Sequence, residues 1–131
     1  VPNASPPPPS AMYSHAVQAD GWLYVTGQLP TDPDAPSAEL CEGIEAQAQL
    51  CFENLRRIVD HAGYSLDETL FVRIYLSDYD NDLPLLNSVY VQHVTHPPKL
   101  PSRTTVGVTR LGRQALVEID LVCFNRKHKT L

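Results

Sequence analysis

The 131-residue sequence is 43% hydrophobic and 19% charged, a composition typical of one globular domain and not of a fibrous or disordered chain. Its net charge of -5 supplies no overall positive field to attract a phosphate backbone, so we expect no nucleic-acid partner. The sequence has no apolar run long enough to span a membrane and no signal-peptide pattern at its start, so we expect a cytoplasmic protein that does not bind membranes.

Proline dominates the start of the chain. Four consecutive prolines, Pro6 to Pro9, favour an extended polyproline conformation that cannot join a helix or a central strand. We therefore expect an N-terminal tail over residues 1–11, one domain over residues 12–125 and a C-terminal tail over residues 126–131. The three cysteines, Cys41, Cys51 and Cys123, show no disulfide or zinc spacing, which predicts free thiols in a reducing compartment.

Residues 11–19 and 22–28 predict two strands joined by a hairpin turn at Asp20-Gly21. Alternation along the second strand places Leu23, Val25 and Gly27 on one face. A glycine inside a strand indicates either the close approach of another backbone or a ligand, or a bulge. The three prolines within residues 29–42 then predict an exposed, mobile loop.

Apolar residues at three-and-four spacing predict an amphipathic helix over residues 42–62, closed by Gly63. Gln47 and Asn54 lie beside the apolar stripe, and we expect them to bond to nearby backbone. Residues 69–77 predict a central strand whose inward side chains are Leu70, Val72, Ile74 and Leu76.

The aspartates of residues 78–82 lack the glycine and the closing glutamate of a calcium loop, so they predict the N-cap of a second helix. Pro84 fits the first turn of that helix. Its apolar positions are Leu83, Leu86, Tyr90, Val91 and Val94. His93 and His96 follow at its end without a third ligand, so we expect no metal site there.

Residues 104–109 and 115–124 predict two final strands that form a hairpin around Gly112. In that hairpin Glu118 lies opposite Gly107, about 13 Å along the strand from Arg103. The two side chains are then too far apart for a salt bridge, but they could contact the two ends of a small molecule.

Arg103 and Glu118 are the candidate functional residues. An arginine presents a planar fork of donors that matches a carboxylate, although most arginines are simply exposed and solvated. Glu118 shares its face with apolar residues and Asp120, which should raise its pKa as a general acid or base requires. The alternative is two acidic residues on a hydrated sheet face.

The order strand, strand, helix, strand, helix, strand, strand predicts an α+β fold with both helices on one face of a mainly antiparallel or mixed sheet. The other face carries Trp22, Tyr24, Phe71 and Tyr75, more aromatic surface than a monomer usually exposes, which predicts self-association. The sequence has no P-loop and no dinucleotide-binding glycine motif, the usual signatures of nucleotide binding, and no nucleophile elbow, the usual signature of a serine hydrolase.

Several motifs together resemble the reactive-intermediate deaminase family, the Rid or YjgF-type proteins, over about residues 12–124. They are Tyr13-Ser14-His15-Ala16-Val17, Tyr24-Val25-Thr26-Gly27-Gln28-Leu29-Pro30, Asn87-Ser88-Val89-Tyr90, Pro101-Ser102-Arg103-Thr104-Thr105-Val106 and Val117-Glu118-Ile119, with Gln47 and Asn54. The resemblance implies a chorismate-mutase-like fold and a homotrimer with metal-free, cofactor-free pockets between subunits.

The resemblance also implies roles for individual residues. Arg103 would bind the carboxylate of a 2-imino or enamine acid, Glu118 would position water, and Tyr13 would contribute from a neighbouring chain. The residues that would line the pocket are Thr26, Gly27, Asn87 and Thr105. Thr26 stands where serine is common and Thr105 where cysteine is frequent, and the loop after Pro30 lacks the usual Thr-Gly. These departures leave the choice of substrate open.

Three functions remain open at this point. The first is hydrolytic deamination of reactive imino acids to 2-oxo acids and ammonia, either broad or specialised for an acid of the aminomuconate type. The second is non-catalytic binding of a small ligand by a trimer. The third is endoribonuclease activity, claimed for some relatives, which the net charge of -5 disfavours.

Overall fold

The computed structural model of the chain describes residues 13–94 and 99–128, so the predicted tail over residues 1–11 and His96 lie outside the described residues. The helices and strands are β1 (Ala16–Ala19), β2 (Trp22–Gln28), α1 (Ile44–His61), β3 (Thr69–Leu76), α2 (Tyr79–His93), β4 (Ser102–Gly107) and β5 (Val117–Phe124). The predicted order of elements and the α+β class are confirmed, although β1 is shorter than predicted.

The five strands form one mixed sheet in the order β1-β2-β5-β3-β4. β4 pairs in parallel with β3, while the other neighbouring strands are antiparallel. The predicted hairpin of the last two strands is therefore wrong, and Glu118 lies opposite Tyr75, not opposite Gly107. The physical reason is α2, which connects β3 to β4 as a crossover and makes those two strands parallel neighbours. The chain then returns past β3 before β5 begins.

Both helices pack on one face of the sheet, where the core lies. Phe52 and Leu55 of α1 are buried against the inward side chains of the sheet, including Ile74 and Ile119. Along β5 buried and partly buried residues alternate through the whole strand, because one face meets the helices and the other does not. This alternation determines which side chains of β5 can form a site outside the core.

Two irregularities in strand pairing change the faces that simple alternation predicted. The register shifts between Val25 and Gln28, so that Gln28 is buried and Gly27 faces the side of the sheet away from the helices. A second shift near the start of β3 turns Thr69 inward and leaves Leu70 46% exposed. One extra residue in a strand inverts every following position, which explains why these two predictions failed.

The second helix begins at Tyr79, so Pro84 lies in its second turn and not in the predicted first turn. Asp78 occupies the N-cap position, but its side chain makes no capping hydrogen bond. Val89 is buried whereas Val91 is 60% exposed, because the buried stripe follows Leu86 at three-residue and four-residue steps.

Gly63 ends α1 in the left-handed conformation, with φ 82°, as predicted. Beyond β5, residues Arg126–His128 form a 3-10 turn, and the His128 ring stacks on Tyr64 with 4.4 Å between ring centroids. The start of the predicted C-terminal tail thus contacts the domain, and the domain limit at residue 125 stays a prediction.

Two buried amides of α1 bond to the backbone of neighbouring segments, as the sequence predicted. Gln47 Nε2 donates to Cys41 O at 2.8 Å, and its Oε1 accepts from Leu116 N at 2.8 Å. Asn54 Nδ2 donates to Leu29 O at 3.1 Å and to Thr31 O at 2.8 Å. These bonds hold the segments directly after β2 and directly before β5.

Replacement of Asn54 by alanine should lower the free energy of unfolding by about 1–3 kcal/mol, because two carbonyl groups lose their donor. Urea denaturation monitored by circular dichroism measures this change. The control is Glu53→Ala, the exposed neighbour on the same helix, which should change stability by about 0.5 kcal/mol or less. Equal effects of the two substitutions would contradict a stabilising role for the hydrogen bonds of Asn54.

Candidate functional site

The sheet separates the predicted site residues into two groups on opposite faces. Arg103 pairs in parallel register with Val72, which is buried beneath the helices, so Arg103 lies on the helix side of the edge strand. Glu118 lies between buried Val117 and Ile119 and therefore projects from the other face. We call the first group, Arg103 with Asn87, Thr105 and Tyr90, the arginine cluster. We call the second, Glu118 with Thr26 and Gly27, the glutamate cluster.

The arginine cluster is built from β4 and α2. Arg103 Nε donates to Thr105 Oγ1 at 2.7 Å, and Nη2 donates to Asn87 Oδ1 at 2.7 Å. The guanidinium Cζ lies 4.5 Å from the centroid of the Tyr90 ring, a favourable cation–π distance. Residues two apart on a strand and three apart on a helix share a face, which brings these four side chains together.

Arg103 is partly buried and carries its charge without a carboxylate partner among the described residues, where Arg73–Asp120 is the ion pair. Burial lowers the pKa of Arg103, and the nearby Tyr90 and Tyr79 oppose that change. An arginine remains charged in proteins even so. A partly desolvated cation that lacks a counterion favours the binding of an anion.

Tyr90 also belongs to the core. Its ring contacts Phe52 edge-on with 6.1 Å between centroids, and Phe52 stacks on His93 at 4.6 Å. Burial raises the pKa of Tyr90, while Arg103 lowers it. From the sequence, Tyr90 was predicted only as part of the helix core. Its three-residue spacing from Asn87 was the signal that it also faces the arginine.

The glutamate cluster lies where β2 and β5 pair around the bulge. A Cβ atom at Gly27 would overlap the Glu118 carboxylate, so the missing side chain leaves the space that this carboxylate occupies. Both explanations offered for Gly27, a bulge and a close approach, therefore apply. Thr26 Oγ1 donates to Ser14 O at 2.6 Å, and Tyr13 is 54% exposed at the start of the described chain.

The environment of Glu118 raises its pKa, as predicted, first through burial and then through Asp120. Asp120 Oδ1 accepts from Arg73 Nε at 2.9 Å, and Oδ2 accepts from Tyr75 Oη at 3.0 Å. No residue in the described ranges donates a hydrogen bond to the Glu118 carboxylate. This carboxyl group is therefore available for proton transfer. The contacts of Arg73 and Tyr75 with Asp120 were not predicted from the sequence.

Other reactive groups lie in structural positions. The three cysteines are free thiols, and Cys51 Sγ donates to Gln28 O at 3.3 Å from within the core. Burial raises the pKa of Cys51 well above its usual value, which keeps the group a thiol. Within residues 13–94 and 99–128 there is no group of three metal-ligating side chains and no helix long and apolar enough to cross a membrane.

A family model described as Endoribonuclease L-PSP matches residues 3–124, nearly the whole chain. The chain belongs to this family, the Rid or YjgF-type proteins. A RutC family protein of Pyrococcus horikoshii is 35% identical over 119 residues, which cover 90% of each chain. Membership of the Rid family, predicted from the motifs, is confirmed.

A second relative of this Rid protein, from Dermatophagoides farinae, is named 2-iminobutanoate/2-iminopropanoate deaminase. It is 32% identical over 117 residues, which cover 88% of each chain. Among solved structures, RidA from an Antarctic Psychrobacter species superposes with a TM-score of 0.83 at 35% identity. That match covers 92% of this chain and 94% of the other. The chorismate-mutase-like, YjgF-type fold predicted from the motifs is confirmed.

Gly27→Ala should displace the Glu118 carboxylate while leaving the fold intact, because the new methyl group takes the space of that carboxylate. Two-dimensional NMR should show shifts confined to β2 and β5, with loss of any activity that depends on Glu118. Gly112→Ala is the control, since a Cβ there meets only Leu29 Cδ1 at 3.3 Å, the end of a flexible side chain. Unchanged resonances of Glu118 in Gly27→Ala would contradict this arrangement.

Glu118→Gln should stabilise the protein at neutral and higher pH and lose this effect in acid. The pKa of the Glu118 carboxyl group is raised in the folded protein, so this group contributes fully to stability at pH values below its unfolded pKa of about 4.3. The contribution is lost as the pH rises through the folded pKa and the group ionises. The glutamine cannot ionise and keeps that contribution. Thermal unfolding of both proteins across this pH range measures the difference.

The exposed Glu53→Gln on α1 provides the control for the same charge change. A stability difference between wild type and Glu118→Gln that stays constant with pH, or grows in acid, would contradict the raised pKa.

Proposed function

We propose that the protein hydrolyses reactive 2-imino or enamine acids to 2-oxo acids and ammonia, with Arg103 binding the substrate carboxylate. The observation that carries this proposal is the Arg103 guanidinium, held by Asn87, Thr105 and Tyr90 and without an acidic partner in the described part of the chain. The deaminase name of a relative that is 32% identical supports the same reaction.

The chemistry requires little beyond orientation and one group that transfers protons. Water adds to the carbon of the protonated imine, and Glu118 accepts a proton from that water. Glu118 returns this proton to the nitrogen and then accepts the proton of the new hydroxyl group, so that the carbon–nitrogen bond breaks, ammonia leaves and the carbonyl group of the 2-oxo acid forms. A carboxyl group with a raised pKa suits both the acceptance and the donation of this proton near neutral pH.

The proposed site requires two copies of the chain. Arg103 and Glu118 project from opposite faces of one sheet, so they cannot contact the same small molecule within a single chain. A pocket with both residues forms when the glutamate cluster of one copy meets the arginine cluster of another, with Tyr13 contributed by a neighbouring chain. The family resemblance implies a homotrimer with three such pockets.

The exposed apolar side chains support contact between copies. Trp22 and Tyr24 on the outer face of β2 are 38% and 50% exposed, and Leu70 at the start of β3 is 46% exposed. Apolar surface of this kind is typical of an interface. We place the activity in the cytoplasm, because free thiols fit a reducing compartment.

Arg103→Ala should lower kcat/KM for imine hydrolysis about 100-fold, because each charge-assisted hydrogen bond contributes about 1.5–3 kcal/mol. The assay generates imines enzymatically from small, aromatic and basic amino acids and follows their decay and ammonia release. Arg103→Lys keeps the charge but not the planar fork, so it should recover only part of the rate. The exposed Arg57→Ala on α1 is the control and should behave as wild type.

The same comparison tests the alternatives. A wild-type protein that does not accelerate imine decay would refute the deaminase proposal. Binding of carboxylates that is lost in Arg103→Ala, without turnover, would favour a non-catalytic ligand-binding protein. RNA cleavage that persists in Arg103→Ala after further purification would favour the endoribonuclease activity that the family description names.

A further inference from the structure

The donors of Arg103 are unequally engaged. A guanidinium carries one N–H on Nε and two on each Nη. Nε donates to Thr105 Oγ1, and Nη2 donates to Asn87 Oδ1, both at 2.7 Å. Nη1 has no acceptor among residues 13–94 and 99–128. The contacts inside the chain thus engage Nε and one N–H of Nη2, and they leave Nη1 and the second N–H of Nη2 for a ligand.

A carboxylate can bind a guanidinium with two parallel hydrogen bonds at the side edge, formed by Nε and one Nη, or at the end edge, formed by both Nη atoms. The side edge is closed, because Nε is already bonded to Thr105. The guanidinium Cζ lies over the Tyr90 ring, 4.5 Å from its centroid. End-on binding is therefore the one bidentate mode that these contacts leave open.

We propose that Thr105 is a positioning residue that holds Nε of Arg103 and thereby reserves the end edge of the guanidinium for the substrate carboxylate. This inference rests on the proposed function and refines it. Thr105 acts through Arg103 and does not touch the substrate, in contrast to the pocket-lining role that the family resemblance implies. The ligands selected are acids that offer one unhindered carboxylate to the two Nη atoms.

The placement of Thr105 supports this role. It lies two residues after Arg103 on β4, so both side chains share the helix side of the edge strand. A β-branched residue has few side-chain rotamers, so its hydroxyl is a well-defined acceptor. Thr104 lies between them, is exposed and projects to the other face, which provides a matched control on the same strand.

The test begins with a readout that does not depend on catalysis. In Thr105→Val, which keeps the shape but removes the hydroxyl, the Arg103 Nε–H should exchange with water faster than in wild type, as measured by 15N NMR. Thr105→Ser should retain the slow exchange, and Thr104→Val should have no effect. If Thr105→Val does not fold, Thr105→Ala provides the same comparison. Equal exchange in all variants would overturn the proposal.

Binding of 2-oxobutanoate, a stable 2-oxo acid, provides the second readout. Thr105→Val should weaken binding about tenfold, the loss expected for one charge-assisted hydrogen bond, and Thr105→Ser should stay within about threefold of wild type. In the Arg103→Lys background, Thr105→Val should have little further effect, because the guanidinium that it positions is gone. Additive effects would show direct contact between Thr105 and the ligand and overturn the proposal.

The two proposals fail in different ways. A protein that shows the predicted exchange and binding pattern but does not hydrolyse imines refutes the deaminase function and leaves the positioning role of Thr105 supported. A protein that hydrolyses imines equally well in wild type and Thr105→Val, with unchanged KM, refutes the positioning role alone. Absence of any Arg103-dependent binding of 2-oxobutanoate refutes both.

Discussion

The pairing of β5 between β2 and β3 is the constraint on which the rest of the structure depends. Alternation along β5 directs its apolar side chains into the core and Glu118 and Asp120 to the opposite face. The same strand order leaves β4 at the edge of the sheet, where Arg103 lies against α2. The position of β5 thus accounts both for the core and for the separation of Arg103 from Glu118. Because of that separation, the proposed site needs a second copy of the chain.

Local signals in the sequence were sufficient for much of the fold. The periodicity of α1 and its terminal Gly63 depend on neighbouring residues, and the structure confirms them. Strand order, in contrast, depends on pairing between strands that are separated in the sequence by a helix. The hairpin prediction treated β4 and β5 as partners because they are close in sequence, although the intervening α2 already made β4 a parallel neighbour of β3.

Candidate site residues could be selected from the sequence, but their positions relative to one another could not be predicted. Arg103 and Glu118 could be selected by residue type and by the motifs around them, whereas their position on opposite faces follows from strand pairing. The sequence suggested a bulge or a close approach at Gly27 but could not choose between them, because one inserted residue inverts the alternation without any change in composition. Tyr90 was interpreted only as core, although its three-residue spacing from Asn87 indicated that the two side chains share one face of the helix.

Tyr90 joins the interior of the domain to its candidate binding group. Its ring lies under the Arg103 guanidinium and also contacts Phe52 of α1 in an edge-type arrangement. A change in how the two helices pack therefore moves the platform beneath the arginine. The anion affinity that we propose for Arg103 therefore depends on the helix interface, and we expect substitutions deep in the core to alter it without touching any residue that would meet the ligand.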